Sequence, residues 1–263
     1  MIRSYHNHII LTILLIIFSH QVSLATKLNI GAIDHHKEYK SCLSLAISDA
    51  KSALDAASYW QQQGGDIGAM HCQASALATL ARYGEAATLL EEIVNNNANI
   101  LPIAKAEFLY QAAKAHSLNG DHKRAIGLMS AARALNNNNI DYLAELGILN
   151  VLAKDYVIAL DHLNKTLNTR PSHIRALLFR SMTHRALGND DESERDLSLA
   201  LQLEPHNPSL LLEQGLRYAK AGRNDQAKTT WEKVIQLSND EQLATIAHDN
   251  IQKLTANKPL VSD

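Results

Sequence analysis

From Ala106 onward, small, apolar and polar residues return to the same places every 34 residues, in windows starting at Ala106, Ile140, Ile174 and Pro208 with no insertion between them. The fourth place holds Leu109, Leu143, Leu177 and Leu211. The eighth is small (Ala113, Gly147, Ser181, Gly215), as is the twentieth (Ala125, Ala159, Ser193, Ala227). The twenty-fourth is bulky: Met129, Leu163, Leu197 and Trp231. This pattern predicts a pair of helices per window. The small residues let the two approach closely, and the large one fills the space beside them. Gly120, Gly188 and Gly222 fall where the first helix ends, and glycine closes a helix in the left-handed conformation at little cost. Lys154 breaks that rule in its window. Asn136 to Asn139, Pro171 and Pro205 mark the end of the second helix, since asparagine tolerates positive φ and proline cannot continue a helix.

Upstream, Ala81 to Ala87 echoes the turn from Asn119 to Ala125, and Ala86, Leu90 and Ile93 place a further window at 67–100. Leu101 to Lys105 are an insertion, with Pro102 suited to a first helical turn. Residues 34–66 form a degenerate copy carrying Ala53, Ala57 and Trp60. Beyond the last window, Leu243, Ile246, Ala247, Ile251 and Leu254 recur at helical spacing, and a helix over 242–255 would cap the stack. One continuous array over 34–255 is expected, with loose segments at 26–33 and 256–263.

With small residues at places eight, twenty and twenty-seven, and proline or asparagine at thirty-two (Asn137, Pro171, Pro205, Asn239), the chain resembles the tetratricopeptide repeat family. The resemblance spans about 220 residues (34–255). It implies an all-α fold, a right-handed α-solenoid of helix-turn-helix repeats ending in a capping helix. It also implies that places two, five, nine and twelve line a peptide-binding groove. Carried over residue by residue, the expected groove comprises Tyr110, Lys114, Ile148, Val151, Arg175, Leu178, Met182, Arg185, Leu212 and Leu216, with Glu107 and Ser117 beside the first two. These are apolar steps bordered by charge, suited to an extended peptide or an amphipathic helix. Family members that clamp a terminal carboxylate use a basic residue at five and asparagine at nine, then asparagine at six of the next repeat. Here Ala144, Ile148 and Phe179 stand in those places, so the clamp is absent although Arg175 matches one basic position.

Residues 1–25 read as a signal peptide. Arg3 precedes the apolar stretch Ile9–Phe18, and Ser23-Leu24-Ala25 sets small residues at a cleavage site. About ten apolar residues are too few to cross a bilayer as a helix. The expectation is therefore a periplasmic or secreted protein with no stable membrane span after cleavage. Removing Arg3 leaves 24 basic against 27 acidic residues, a formal charge of 24 − 27 = −3. That balance argues against a nucleic-acid partner, which requires a basic surface. Cys42 and Cys72 are the only two cysteines; in an exported chain they form a candidate disulfide, the alternative being two buried thiols.

The candidate chemistry is thin. Asp34-His35-His36-Lys37-Glu38 offers metal-ligand types, but adjacent helical histidines point about 100° apart and do not converge. Asn189-Asp190-Asp191-Glu192 lacks the spacing of a calcium loop and suits the positive end of a helix. His116 and His184, both at place eleven, are expected to pack at repeat interfaces. With no zinc, phosphate-loop or nucleophile-elbow motif, the chain reads as a non-catalytic scaffold or adaptor without cofactor or metal, holding a protein or peptide. The alternative is a periplasmic small-molecule or metal-binding module.

Overall fold

A computed structural model describes residues 35–256. Those residues form helices only, thirteen of them, joined by turns. They are α1 (His35–Ser48), α2 (Ala50–Gln62), α3 (Asp66–Thr79), α4 (Tyr83–Asn96), α5 (Pro102–Leu118), α6 (His122–Leu135), α7 (Ile140–Leu152), α8 (Tyr156–Thr169), α9 (Ile174–Ala186), α10 (Asp190–Leu203), α11 (Pro208–Lys220), α12 (Asn224–Leu237) and α13 (Glu241–Thr255). The proposed leader 1–25 and linker 26–33 lie outside the described residues, as do 257–263.

Local chemistry sets the helix ends. Pro102 and Pro208 open α5 and α11, where a missing amide proton costs nothing. Asp49, Asp121, Asn207 and Asp240 cap α2, α6, α11 and α13 by accepting from backbone amides two or three residues on. From α3 onward the turn between the paired helices has one geometry. Ala81, Gly120, Lys154, Gly188 and Gly222 all stand at place fifteen, and all have positive φ, at 58°, 87°, 66°, 80° and 72°. The Lys154 turn thus matches its glycine counterparts, because the amides of Lys154 and Asp155 still satisfy the carbonyls of Val151 and Asn150.

The described residues fall into two compact units, 35–142 and 143–256, divided within α7. In the first unit each helix packs on its successor from α1 to α6, and α1 also packs on α3. The core advances in layers: Tyr39, Trp60 and Ala69; then Cys42, Ala57 and Cys72; then Ala46, Ala50, Ala53 and Ala76; then Leu77, Ala86, Ala87 and Ala115. Alanine dominates because it lets helices close without displacing side chains.

In the second unit α8 to α13 pack in succession, and α11 touches α13. The eighth and twentieth places meet as the repeat pattern requires. Ser181 Oγ donates to the Ser193 carbonyl at 2.8 Å, and both residues are completely buried. The eighth place also faces the twenty-fourth: a Cβ on Gly147 would lie 2.7 Å from Leu163, and one on Gly215 would strike the Trp231 indole. Trp231 is fully buried, and its Nε1 donates to the Leu212 carbonyl at 3.3 Å. α13 buries Leu243, Ile246 and Ala247, while Ile251 and Leu254 are half-buried.

Candidate functional site

The expected groove residues all stand on the first helices of their repeats. In the unit 35–142, Tyr110 and Lys114 on α5 are buried. The Tyr110 ring stacks on Tyr142 with centroids 5.2 Å apart, and the Lys114 ammonium lies 5.1 Å from the Tyr110 ring centre. In the unit 143–256, Ile148, Val151, Leu178, Met182 and Leu212 are buried, whereas Arg175, Arg185 and Leu216 are half-buried. The last three are the members of the set that reach solvent there.

Two polar features that the repeat pattern does not announce accompany these residues. The first is a hydrogen-bonded chain across four helices of the unit 35–142. Tyr39 on α1 meets His71 Nδ1 on α3 at 2.5 Å, and His71 Nε2 meets the Gln111 side-chain oxygen on α5 at 2.8 Å. The Gln111 amide donates to Glu107 Oε1 at 3.1 Å, one turn earlier on α5, and the Tyr142 hydroxyl donates to Glu107 Oε2 at 3.3 Å. The donors run consistently if Tyr39 donates to Nδ1 and the neutral imidazole carries its proton on Nε2, so that two donors converge on the Glu107 carboxylate. Burial holds the His71 pKa below its ordinary value, with the Gln111 hydrogen bond opposing. Burial likewise raises the Glu107 carboxyl, against the lowering effect of Gln111, Tyr142 and Lys114. The Tyr39 and Tyr142 hydroxyls are raised by burial and by the nearby Glu107 charge.

The second feature is a set of arginine–carboxylate pairs. In the unit 143–256, Arg175 on α9 bonds Glu145 on α7, and Arg185 at the other end of α9 bonds Glu213 on α11 with Nε to Oε1 at 2.6 Å. Both glutamates are buried, which makes each pair a tether between successive first helices. Arg180 grips Asp196 on α10 through both ends of its fork, at 2.6 and 2.7 Å, and reaches Asn164 on α8 at 2.8 Å. A bidentate fork of this kind fixes orientation as well as distance. In the unit 35–142, Glu91 on α4 is held by Arg124 on α6 and by His116 Nε2 on α5, the latter at 2.7 Å. Burial alone would raise the Glu91 carboxyl, but Arg124 and His116 outweigh it and leave it lowered. His116 therefore sits at a helix interface as expected, with an ionic partner. His184 is half-buried on α9, its pKa lowered chiefly by burial.

Glu145, Glu213, Gln111 and His71 were not candidates from the repeat alone. A readable signal existed for the glutamates: acid and arginine recur 30 residues apart at 145 and 175 and 28 apart at 185 and 213, spacings that join neighbouring first helices. Cys42 and Cys72 are bonded, with Cα atoms 6.0 Å apart, and so tie α1 to α3. Among the described residues no group of three or more His, Cys, Asp or Glu could hold a metal ion, and no helix is long and apolar enough to cross a membrane.

No protein-family model and no curated protein matches the chain. Solved structures do. A tetratricopeptide repeat protein from Parabacteroides merdae ATCC 43184 is similar at 18% identity and TM-score 0.65, over 84% of this chain and 88% of that one. TTC0263, a thermophilic TPR protein of Thermus thermophilus, is similar at 22% identity and TM-score 0.58, over 68% and 96%. The crystal structure of MamA is similar at 19% identity and TM-score 0.54, over 67% and 97%. At such identities the likeness fixes the fold: the chain has the all-α fold of tetratricopeptide-repeat solenoids.

Proposed function

We propose that this tetratricopeptide solenoid is a non-catalytic interaction scaffold of the cell envelope, exported by its first 25 residues, that binds a peptide or helix of a partner protein along its first helices. The observation that carries the reading is the repeated helix pairing from α1 to α12, which occupies nearly all of the described chain. What varies from repeat to repeat is the side-chain set on the first helices: aromatic and acidic on α5, arginine-rich on α9, aliphatic on α11. Stacked repeats present such helices as a row, and a row of differing side chains suits recognition of an extended ligand. Burial of a leucine-sized partner side chain would contribute about 1.5–3 kcal/mol before the cost of association.

The test is site-specific photocrosslinking in the native host. A photoreactive residue replaces half-buried Leu216 on α11 or, as control, Val157 on the second helix α8, which is 78% exposed. Adducts with a defined partner from position 216 and none from 157 are expected, on a protein whose mature chain begins at Thr26. Equal adducts at both positions, or none from any first-helix position, would refute the binding face. A cytoplasmic, full-length protein would refute export.

A further inference from the structure

The paired acidic groups set a standard from which one carboxylate departs. Glu91, Glu145, Asp196 and Glu213 are each held by an arginine. Glu107 is not: among the described residues no cation comes within ion-pairing distance of it, and its two contacts are neutral donors, Gln111 and Tyr142. Lys114 acts on it only from a distance, with its ammonium over the Tyr110 ring. A largely buried carboxylate with no cation in contact is under-compensated, and such a group is where an external cation gains most.

The rings of Tyr110 and Tyr142 stack on each other beside Glu107 with the Lys114 ammonium over Tyr110, so their faces are taken and recognition of a cation falls to the carboxylate itself. Tyr110, Tyr142 and Lys114 are buried, whereas Glu107 and Gln111 keep partial exposure, so the carboxylate is the part of this cluster a ligand can reach. The chain Tyr39–His71–Gln111 fixes the donor to this carboxylate, because Gln111 is held through its oxygen by His71 and turns its amide to Glu107.

We infer that Glu107, flanked by Tyr110 and Tyr142, is a subsite for a lysine or arginine side chain of the bound partner. The inference rests on the first helices being the docking face, and it names the charge of the residue that enters there. The Glu107 carboxylate would accept one or two N–H donors of the partner cation while keeping the bonds from Gln111 and Tyr142, since a carboxylate offers about four acceptor positions.

The experiment uses the mature full chain and four acetylated, amidated pentapeptides, Gly-Ala-X-Ala-Gly, with X as lysine, arginine, norleucine or glutamate. Binding is followed by NMR of the Glu107 carboxyl carbon and of the Tyr110 and Tyr142 rings, at constant ionic strength. The lysine and arginine peptides should give saturable shifts and lower the Glu107 titration midpoint, whereas norleucine and glutamate should not. In Glu107→Gln, which preserves the size and the neutral hydrogen bonds, affinity for the two cationic peptides should fall about ten- to a hundredfold. Equal binding of lysine and norleucine peptides by the wild-type protein would overturn the subsite, and that comparison requires no variant. If Leu216 crosslinks a partner as expected yet Glu107→Gln binds the cationic peptides unchanged, the docking face stands and the cation subsite falls.

Discussion

Gly215 offers a signed test of how this solenoid is packed. Replacing it with alanine gains helix propensity, about 1 kcal/mol for an interior position. The new Cβ, however, would meet Trp231 Cδ1 at 2.6 Å, on an indole that is fully buried and tied through Nε1 to the Leu212 carbonyl. The ring cannot withdraw without breaking that bond, so overpacking of about 1–3 kcal/mol should outweigh the gain. We expect Gly215→Ala to destabilise the second unit, by up to about 2 kcal/mol. Gly127 on α6 is the control, since a Cβ there meets nothing within 4 Å and alanine should stabilise by about 1 kcal/mol. Stacked repeats need not unfold in one step, so the assay should resolve the units. The chain's two tryptophans, Trp60 and Trp231, lie one in each unit, and fluorine-labelled tryptophan followed by NMR through a urea titration gives separate midpoints. A Trp231 midpoint unchanged or raised by Gly215→Ala would refute the close packing of the eighth and twenty-fourth places.

Lys154→Gly should stabilise by about 1 kcal/mol, because lysine is held at φ 66°, and Gly188→Ala should destabilise by a similar amount; thermal unfolding by circular dichroism reads both. Removing the Cys42–Cys72 bridge by double substitution with alanine opens a loop of 30 residues' separation and should cost about 3–4 kcal/mol at the Trp60 probe, with little change at Trp231. His71, whose folded pKa is lowered by burial, binds its proton more readily when unfolded. Its contribution is therefore a loss of stability that begins as pH falls through about 6.5, and urea midpoints in His71→Gln should decline less between pH 7 and 5 than in wild type.

The helices were legible because each is set by a local rule that a repeat then multiplies. Trp231 against Gly215 repeats Leu163 against Gly147 with a larger partner that also donates a hydrogen bond, and the pattern of small against large shows that they meet. Place fifteen shows the limit of reading residue types. Lysine at 154 and alanine at 81 adopt the left-handed conformation their glycine counterparts adopt, because the turn's hydrogen bonds outweigh the roughly 1–2 kcal/mol preference against it. The disulfide was readable as an option, and the packing of α1 on α3 is what brings its two cysteines together. The candidate site was legible only in part. Helical position placed Tyr110, Lys114 and Arg185 on first helices, but it carries no information about which carboxylate an arginine will find. Glu213 and Glu107 are both glutamates on first helices. One is neutralised by Arg185 from the preceding repeat, 28 positions away, whereas the other meets two neutral donors, Gln111 one turn on and Tyr142 35 positions away. On the proposed reading, recognition is therefore carried where a carboxylate goes without an arginine, as at Glu107, while Glu145 and Glu213 are occupied in holding neighbouring first helices together.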